Sequence, residues 1–475
     1  MTQQELDDIF RLHTAAIIAP AGHGKTEMIV DMVEYANGKQ LLLTHTHAGV
    51  DALKKRLIRR NIPQTKYAIS TIAAFCVKWG MAYRSTALVN TFLSPSKSNS
   101  QAYYTQFYGG SKAIFQHKWA GRVLQASYAG LIVDEYQDCL MEHHEMFQAI
   151  SRYLPVRILG DPLQGIFEFS GQALVDWSQL GFPIVSINTS PWRWQKTNPV
   201  LGNYLSSIRT SLWPTLSGQR CSLNIDSCNG SICVIDPQSF NAYSLLSEFK
   251  KFKSVLHISK WEYQQKSFSS RMSGIFQIDE RQDCEELFEF AEAFSDKDGA
   301  DLFLSAIEFE SKCATKVTTE LSAFISRLKK HSFDFSRIKK NQDFGKLLCE
   351  LQNCNKLEAL MRLFNWFDGN SHFNLYRAEL QREMMRSLRY ARDHSVSVYD
   401  AANHIRNDPA LQKRYEDYKY LSSRTLLSKG LEFDCVIIDM TTPLSAKEFY
   451  VAMTRAMKKI YIIATSQSHT LDLGP

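Results

Sequence analysis

The stretch Ala19-Pro-Ala-Gly-His-Gly-Lys-Thr26 follows the apolar run Ala15-Ala-Ile-Ile18 and decides the fold of this chain. Gly-Lys-Thr after a predicted strand is typical of a loop that binds phosphate through backbone N–H groups and the helix opening behind it. In such a loop Lys25 reaches the terminal phosphates and the Thr26 hydroxyl ligates Mg²⁺. The residues predicted to hold a nucleotide are Ala21, Gly22, His23, Gly24, Lys25 and Thr26. Because Ala19 replaces the first glycine of the usual pattern, a chance glycine-rich turn is the alternative interpretation.

Length and composition bound the class of protein. The 475 residues predict about two to four domains. Apolar residues make up 44% and charged residues 22%, which excludes a disordered chain, and no run approaches the roughly 20 apolar residues of a membrane-spanning helix. The polar, acidic N-terminal residues do not predict a signal peptide, and the scattered cysteines indicate reduced thiols, so we expect a cytoplasmic protein with no membrane partner. The net charge of +6 permits a polyanionic partner without demanding one.

Short apolar runs alternate with helical patterns towards both ends of the chain. This alternation predicts parallel α/β sheets, with ligands bound at the carboxyl ends of the strands. The region from about residue 237 to residue 420 is poor in glycine and mostly helical by pattern. The apolar runs are Leu41–Leu43, Gly130–Val133, Val156–Leu159, Ile184–Ile187, Cys435–Ile438 and Ile460–Ile463.

An acidic pair ends one of these runs, in Leu131-Ile-Val-Asp134-Glu135. A phosphate-binding loop needs carboxylates to hold Mg²⁺ and to activate water, and a strand end next to the loop is where they are expected. We assign the metal to Asp134 together with Thr26, and the role of general base to Glu135. The combination predicts an enzyme that hydrolyses a nucleoside triphosphate.

Six ordered motifs resemble those of UvrD/Rep-like superfamily 1 helicases. The loop is the first, and Asp134-Glu-Tyr-Gln-Asp138 is similar to motif II. The resemblance implies an α/β fold with two RecA-like P-loop NTPase domains, parallel sheets and small helical insertions. The remaining matches are Gly160–Gly171 to motif III, Pro191-Trp-Arg193 to motif IV, Ser428–Phe433 to motif V and Tyr450–Ala456 to motif VI.

The resemblance also implies how the chain is divided. Residues 1–184 are expected to form the first motor domain, with a short insertion near 79–125. Residues 185–475 are expected to form the second, with a mainly helical insertion somewhere within 240–420. ATP and Mg²⁺ would be bound in a cleft between the two domains.

Individual nucleotide contacts follow from the same resemblance. Gln4 stands where the family has an adenine-recognising glutamine, and Trp192 stands where an aromatic ring stacks on adenine. Arg193 and Arg455 would supply guanidinium groups to the γ-phosphate from the second domain, so that the geometry for hydrolysis forms only when the cleft closes. Gln164 would sense the γ-phosphate, and Glu432 would bind the ribose or position the second domain.

Nucleic-acid contacts match the family less completely. Phe169 is the best candidate for base stacking, His45 takes the place of a stacking phenylalanine, and Thr46 would hold a phosphate. A loop or core role for His45 is equally compatible with the sequence. Two histidines of the family on the nucleic-acid side are missing, one of them replaced by Ala73, while Arg424 offers a compensating phosphate contact.

Two functions are therefore compatible with the sequence. The first is an ATP-dependent DNA helicase or translocase that moves 3′ to 5′ on single-stranded or tailed duplex DNA, in repair or in antiphage defence. The second is a regulatory ATPase that assembles with a nuclease and unwinds little. The size of the chain resembles the helicase-like subunits that accompany nucleases of the overcoming-lysogenization-defect type in Gabija-like phage defence.

Overall fold

The computed structural model describes residues 1–90, 100–166, 174–239, 241–279, 285–407, 418–464 and 470–474. Its strands are β1 (Thr14–Ile18), β2 (Gln40–Thr44), β3 (Tyr67–Thr71), β4 (Gly130–Val133), β5 (Val156–Gly160), β6 (Ile184–Val185), β7 (Cys221–Asn224), β8 (Ile232–Ile235), β9 (Val255–Ile258), β10 (Gln277–Ile278), β11 (Tyr420–Ser423), β12 (Phe433–Asp439), β13 (Ala456–Ile463) and β14 (Thr470–Leu473).

Helices connect most of these strands, and short 3₁₀ turns follow several of them, for example Tyr136–Asp138 and Pro162–Gln164. The helices are α1 (Gln3–Arg11), α2 (Lys25–Tyr35), α3 (His47–Arg59), α4 (Ile72–Ala82), α5 (Arg84–Ala87), α6 (Ser100–Phe115), α7 (Lys118–Ser127), α8 (Met141–Ile150), α9 (Trp192–Gln195), α10 (Pro199–Leu212), α11 (Ala242–Phe249), α12 (Glu262–Arg271), α13 (Glu285–Asp296), α14 (Gly299–Cys313), α15 (Val317–Glu320), α16 (Ser322–Leu328), α17 (Gln342–Leu351), α18 (Lys356–Asp368), α19 (Ala378–His394), α20 (Val398–Asn407) and α21 (Ala446–Met453).

The first sheet has six strands in the order β3-β2-β4-β5-β1-β6, and every neighbouring pair is parallel. Strands β2, β4 and β5 are buried along their whole length, as expected for a parallel sheet covered by helices on both faces. The carboxyl ends of β1, β4 and β5 lead directly into Ala19, Asp134 and Asp161. The sheet therefore brings the predicted phosphate loop and the acidic residues to one edge.

The second sheet has six strands in the order β10-β11-β9-β12-β13-β8, with parallel pairing from β10 through β12. Helices α13 to α20 fall between β10 and β11 along the chain and pack around their own apolar core, which includes Phe294, Phe309 and Phe364. The predicted fold class, an α/β chain with two largely parallel sheets and helical insertions, is confirmed. Three strands, β9 to β11, lie within or at the end of the region whose pattern is mostly helical.

The chain divides into two compact units. Unit 1 contains residues 1–233, 443–458 and 468–475, and unit 2 contains residues 234–442 and 459–467. Unit 1 therefore holds the phosphate loop together with the segment that resembles motif VI. The boundary between the two motor domains, expected at residues 184 and 185, stays a prediction. The limits of the insertions, 79–125 and 240–420, also stay predictions.

Candidate active site

The phosphate loop has the backbone shape that its glycines allow. Gly22 and Gly24 have φ angles of +71° and +85°, in the left-handed region that disfavours other residues. Gly24 is the N-cap of α2 and supplies no side-chain hydrogen bond, so the first N–H groups of an 11-residue helix have no side-chain cap. A helix beginning in this way presents N–H donors and positive partial charge to an anion.

Lys25 is 8% exposed and its Nζ lies 3.2 Å from Glu135 Oε2. Burial alone would lower the pKa of Lys25, but the charges of Glu135, Asp161 and Asp134 outweigh burial and raise it. Burial and the charge of Glu135 raise the pKa of Asp134 well above its ordinary value. The structure thus brings together three residues that were predicted to act on one nucleotide.

Glu135 has a left-handed backbone with a φ of +53°. Its N–H donates to Asp134 Oδ1 over 2.9 Å, and Gln137 Nε2 donates to its carboxylate. This turn projects two adjacent carboxylates from the end of one strand. Thr26 is half-buried at the start of α2, and among the described residues its hydroxyl has no hydrogen-bond partner. A hydroxyl and a carboxylate are the kind of oxygen ligands that fit Mg²⁺ bound with phosphate oxygens and water.

Asp161 is fully buried and joins several elements of unit 1. Its Oδ1 accepts from Arg209 Nη2 over 3.1 Å, and its Oδ2 accepts from the Ala21 N–H over 3.2 Å. Gln164 Nε2 and the Tyr450 hydroxyl also donate to Oδ2, over 3.0 and 3.2 Å. This carboxylate therefore fixes the loop backbone relative to α10 and α21, and its charge is balanced by the half-buried Arg209.

The segment resembling motif IV packs directly on the phosphate loop. The Arg193 N–H donates to the Gly22 carbonyl over 3.1 Å. Trp194 is 1% exposed, and its Nε1 donates to the carbonyl of Ala456 over 2.6 Å. A side chain at position 22 would place its Cβ 2.5 Å from the Trp194 ring, so glycine is required at position 22 by space as well as by φ. Trp192 is 61% exposed, and a Cβ at position 24 would lie 3.5 Å from its ring.

Both predicted arginines lie in unit 1 and are bonded to backbone or hydroxyl oxygens. Arg193 Nη1 donates to the carbonyl of Thr454 over 2.6 Å. Arg455 is 2% exposed; its Nε donates to the Val451 carbonyl over 3.0 Å and its Nη2 to Thr454 Oγ1 over 3.0 Å. The two guanidinium groups thus converge on the turn after α21.

His23 is buried inside the loop. Its Nδ1 lies 2.9 Å from Thr189 Oγ1 and its Nε2 lies 3.3 Å from Ser206 Oγ. Burial, and to a lesser extent the charge of Arg209, lowers the pKa of His23 to about 4. His23 is therefore neutral at pH 7 and stabilises the loop through hydroxyl contacts rather than through charge.

Three other predicted nucleotide residues differ in their surroundings. Gln4 is exposed on α1 and donates to Asp8 Oδ1 over 2.9 Å. Gln164 is buried beside Asp161, within the group that holds the loop. Glu432 is exposed and lies in unit 2. Their assigned roles stay predictions.

The residues predicted to contact nucleic acid have different surroundings in the structure. His45 is half-buried, with its Nε2 3.4 Å from Cys139 Sγ and its ring centroid 6.0 Å from that of His143. Thr46 caps α3, its hydroxyl accepting from the Gly49 N–H over 3.1 Å. Arg424 is half-buried in unit 2. Phe169 lies outside the described residues.

Sequence reasoning assigned no role to several residues that hold the site together. Arg209 neutralises Asp161, Tyr450 binds the same carboxylate, and Trp194 fills the space beneath Gly22. Tyr450 belongs to the segment that resembles motif VI and Trp194 directly follows the segment that resembles motif IV, so their position in the sequence was a usable signal. Arg209 lies on the otherwise unmarked helix α10, and no sequence signal singles it out.

Comparison with known proteins places the loop and the last motifs in recognised classes. Residues 3–170 match a family model described as an AAA domain, and residues 427–463 match that of the UvrD-like helicase C-terminal domain. The two matches support a helicase-type ATPase as the class of this protein and imply the use of ATP. No curated protein matches the chain.

One similar solved structure is the complex of Arterivirus nonstructural protein 10, a helicase, with DNA. The sequence identity is 10% and the TM-score is 0.36, over 98% of this chain and 64% of the other. The chain thus spans 64% of the length of that protein.

The described residues were also considered for membrane-spanning helices and for metal-binding groups of side chains. None of the helices in this part of the chain combines the length and apolar character that a membrane crossing requires. Over the same ranges, no three or more His, Cys, Asp or Glu side chains form a group that could hold a metal ion. The pair Thr26 and Asp134 would therefore hold Mg²⁺ only together with nucleotide oxygens and water.

Proposed function

We propose that this chain is an ATP-dependent translocase or helicase of UvrD/Rep type that moves 3′ to 5′ on single-stranded DNA. The observation that carries the proposal is the contact of 3.2 Å between Lys25 Nζ and Glu135 Oε2, at the mouth of a glycine loop held by Asp161. A buried lysine paired with the predicted base, next to uncapped helix N–H groups, supports nucleotide hydrolysis better than a structural turn.

In this proposal ATP competes with Glu135 for Lys25. When the phosphates take over the lysine, the Glu135 carboxylate is released to accept a proton from the attacking water. Thr26 and Asp134 hold Mg²⁺, which neutralises charge on the phosphate oxygens. Asp161 keeps the Ala21 N–H in place during the exchange, so the loop does not need to be rebuilt in each cycle.

In this proposal the arginines control when hydrolysis begins. Arg455 is 2% exposed and is bonded to oxygens of its own helix and turn, so it must exchange those bonds before it can stabilise charge on a γ-phosphate. A partner that promotes this exchange would switch hydrolysis on. In the leading proposal that partner is single-stranded DNA.

The buried state of Arg455 also supports the second candidate, a regulatory ATPase whose hydrolysis depends on a protein partner. For that candidate the partner is a nuclease, of the overcoming-lysogenization-defect type by resemblance, and antiphage defence is the setting. Repair is the corresponding setting for the translocase.

ATPase activity of the purified chain, with and without single-stranded DNA, separates the two candidates. For the translocase we expect stimulation by DNA that Phe169→Ala removes while basal hydrolysis persists, and Lys25→Ala abolishes both activities. Unchanged hydrolysis on adding DNA, combined with stimulation by a copurifying nuclease, would sink the translocase and support the regulatory ATPase. Duplexes with a 3′ or a 5′ single-stranded tail then test the direction of movement.

Glu135→Gln tests the base directly. We expect retention of ATP binding with turnover reduced by about 10²- to 10⁴-fold, because the amide cannot accept the proton. Glu292→Gln is a matched control at an exposed glutamate on α13. Full turnover in Glu135→Gln would overturn the assignment.

A further inference from the structure

A cavity of about 500 Å³ lies at the edge of the first sheet opposite the phosphate loop. Gln40 and Gly130 are the first residues of β2 and β4, and Arg157 is the second residue of β5. These positions are the amino ends of parallel strands, whereas the candidate active site lies at the carboxyl ends. The cavity is therefore separate from the nucleotide site, and neither the helicase motifs nor the proposed function accounts for it.

The most unusual residue lining the cavity is Arg157. It is 3% exposed, and among the described residues it has neither a carboxylate partner nor a hydrogen bond to Nε. Its guanidinium carbon lies 3.8 Å from the centre of the Phe10 ring. Burial lowers the pKa of Arg157 to about 10, so the group is still charged at neutral pH. Buried cations are ordinarily paired, and an unpaired one is costly.

A second buried polar group is also without a partner. Gln40 is 2% exposed; its Nε2 donates to the Gly38 carbonyl over 3.3 Å, but its Oε1 accepts no hydrogen bond among the described residues. A Cβ at position 130 would collide with Gln40 Oε1 and lie 3.5 Å from Arg157 Nη1. Glycine at the start of β4 thus allows an unpaired acceptor and an unpaired cation to enter the same small space.

Part of the cavity wall is aromatic and fixed. Tyr35 lies with its ring centroid 4.8 Å from that of Phe10, and its hydroxyl donates to Asp7 Oδ1 over 2.6 Å. Asp7 therefore holds the ring in place at the cavity wall, and it is not an ion-pair partner of Arg157. Pro155, Ala129 and the exposed Asn37 complete the lining. Fixed aromatic rings beside a few converging polar groups are common in small-ligand pockets.

We infer that this cavity binds a small anion that carries a phosphate or carboxylate group for Arg157 and an adjacent hydrogen-bond donor for Gln40 Oε1. A guanidinium group binds either anion through a planar pair of N–H donors. The donor requirement comes from the glutamine, because an acceptor alone would leave Gln40 Oε1 unsatisfied. Binding here would neutralise a buried charge beneath the sheet that carries the phosphate loop.

Isothermal titration with four simple anions tests this inference on the full chain. Inorganic phosphate and glycolate have both an anionic group and an O–H donor, whereas sulfate and acetate have only the anionic group at pH 7. We expect phosphate or glycolate to bind at least about tenfold more tightly than its donor-free counterpart. Whichever of the two binds more tightly identifies the anion class.

Arg157→Met keeps the length of the side chain and removes its charge. We expect the variant to fold, since it removes an unpaired buried cation, and to lose the anion affinity by about tenfold or more. The phosphate loop is unaltered in this variant, so phosphate bound there contributes equally to both proteins. Arg84→Met, at an exposed arginine, is the matched control and should bind as the wild type does.

The outcomes separate clearly. Equal affinity in wild type and Arg157→Met overturns the site, and equal affinity for phosphate and sulfate overturns the role of Gln40. Should Arg157→Met fail to fold, the Nε–H resonance of Arg157 in the wild-type protein provides a second measurement. A saturable shift of that resonance during the phosphate titration supports the site, and no shift overturns it.

Discussion

Asp161 in unit 1 and Glu310 in unit 2 are both fully buried carboxyl groups, but their surroundings differ completely. Asp161 accepts hydrogen bonds from a guanidinium group, a backbone N–H, an amide and a hydroxyl. Glu310, on α14, accepts one hydrogen bond of 3.0 Å from Gln381 on α19, and its Oε2 has no partner in the described part of the chain. Burial raises the pKa of Glu310 to about 8.

The difference shows two ways in which a protein can lower the free-energy cost of burying a carboxyl group. In unit 1 the carboxylate is surrounded by donors and a cation, which is useful where a loop must be held against incoming phosphate charge. In the helical core of unit 2 none of the described residues supplies a cation to Glu310, and burial favours its neutral form instead. A buried acid that several elements bind together is therefore a good indication of a functional site.

The largest expected effect on stability comes from removing the charge of Asp161. Asp161→Asn keeps the shape of the side chain but removes the charge that pairs with the half-buried Arg209, and its NH₂ group must face existing donors at one of the two oxygen positions. We expect the free energy of unfolding to fall by about 2–4 kcal/mol, measured by urea denaturation. Binding of ATP should weaken as well, because one amide oxygen cannot accept from both Arg209 and the Ala21 N–H, so the loop is held less firmly.

Asp8→Asn is the control for this change. Asp8 is paired with Arg11 across 3.3 Å on the surface of α1, with side chains 47% and 71% exposed. Removing such a pair should cost less than about 1 kcal/mol. A similar, small loss in Asp161→Asn and Asp8→Asn would contradict the idea that Asp161 holds the loop.

Local sequence patterns were enough to predict the fold class and the position of the loop. The strands β1, β4 and β5 are short apolar runs, and the residues that end them carry the chemistry, so sequence order alone brings Lys25, Asp134 and Asp161 to one sheet edge. The glycines at positions 22 and 24 identify the left-handed loop. Such features depend only on residues that are neighbours in the sequence, so they can be predicted without the folded structure.

Contacts between distant segments could not be predicted in the same way. The ion pair of Arg209 with Asp161 joins residues 48 positions apart, and Arg209 has no motif around it. The strand order β3-β2-β4-β5-β1-β6 also depends on packing of the whole sheet. The roles of Gln4, Glu432 and Arg424 stay predictions, because they came from the family resemblance and not from a local physical requirement.

Gly22→Ala sharpens the comparison by testing how tightly the loop is packed. Its φ of +71° strains any other residue, and the new Cβ would lie 2.5 Å from the Trp194 ring, which its own hydrogen bond holds in place. Gly218→Ala has a similar φ of +80° but meets nothing within 4 Å, so it measures backbone strain alone. We expect Gly22→Ala to be less stable than Gly218→Ala by about 1–3 kcal/mol in urea denaturation. Equal losses would show that Trp194 moves aside and that the loop is not tightly packed.

The effect of Glu310→Gln should depend on pH and vanish at low pH. The amide can still accept the hydrogen bond from Gln381, and it removes the only form of the side chain that burial disfavours. Because the folded-state pKa of about 8 lies above the ordinary value of 4.5, the folded protein binds the extra proton between these values, and wild-type stability falls as pH rises through this window. The free energy of unfolding of the variant should therefore match that of the wild type near pH 4.5 and exceed it by about 1–3 kcal/mol near pH 9.

Thermal unfolding across this range measures the difference, with Glu308→Gln as an exposed control on the same helix. A difference that is independent of pH would mean that Glu310 is charged in the folded protein and that the helical core contains a cation partner after all.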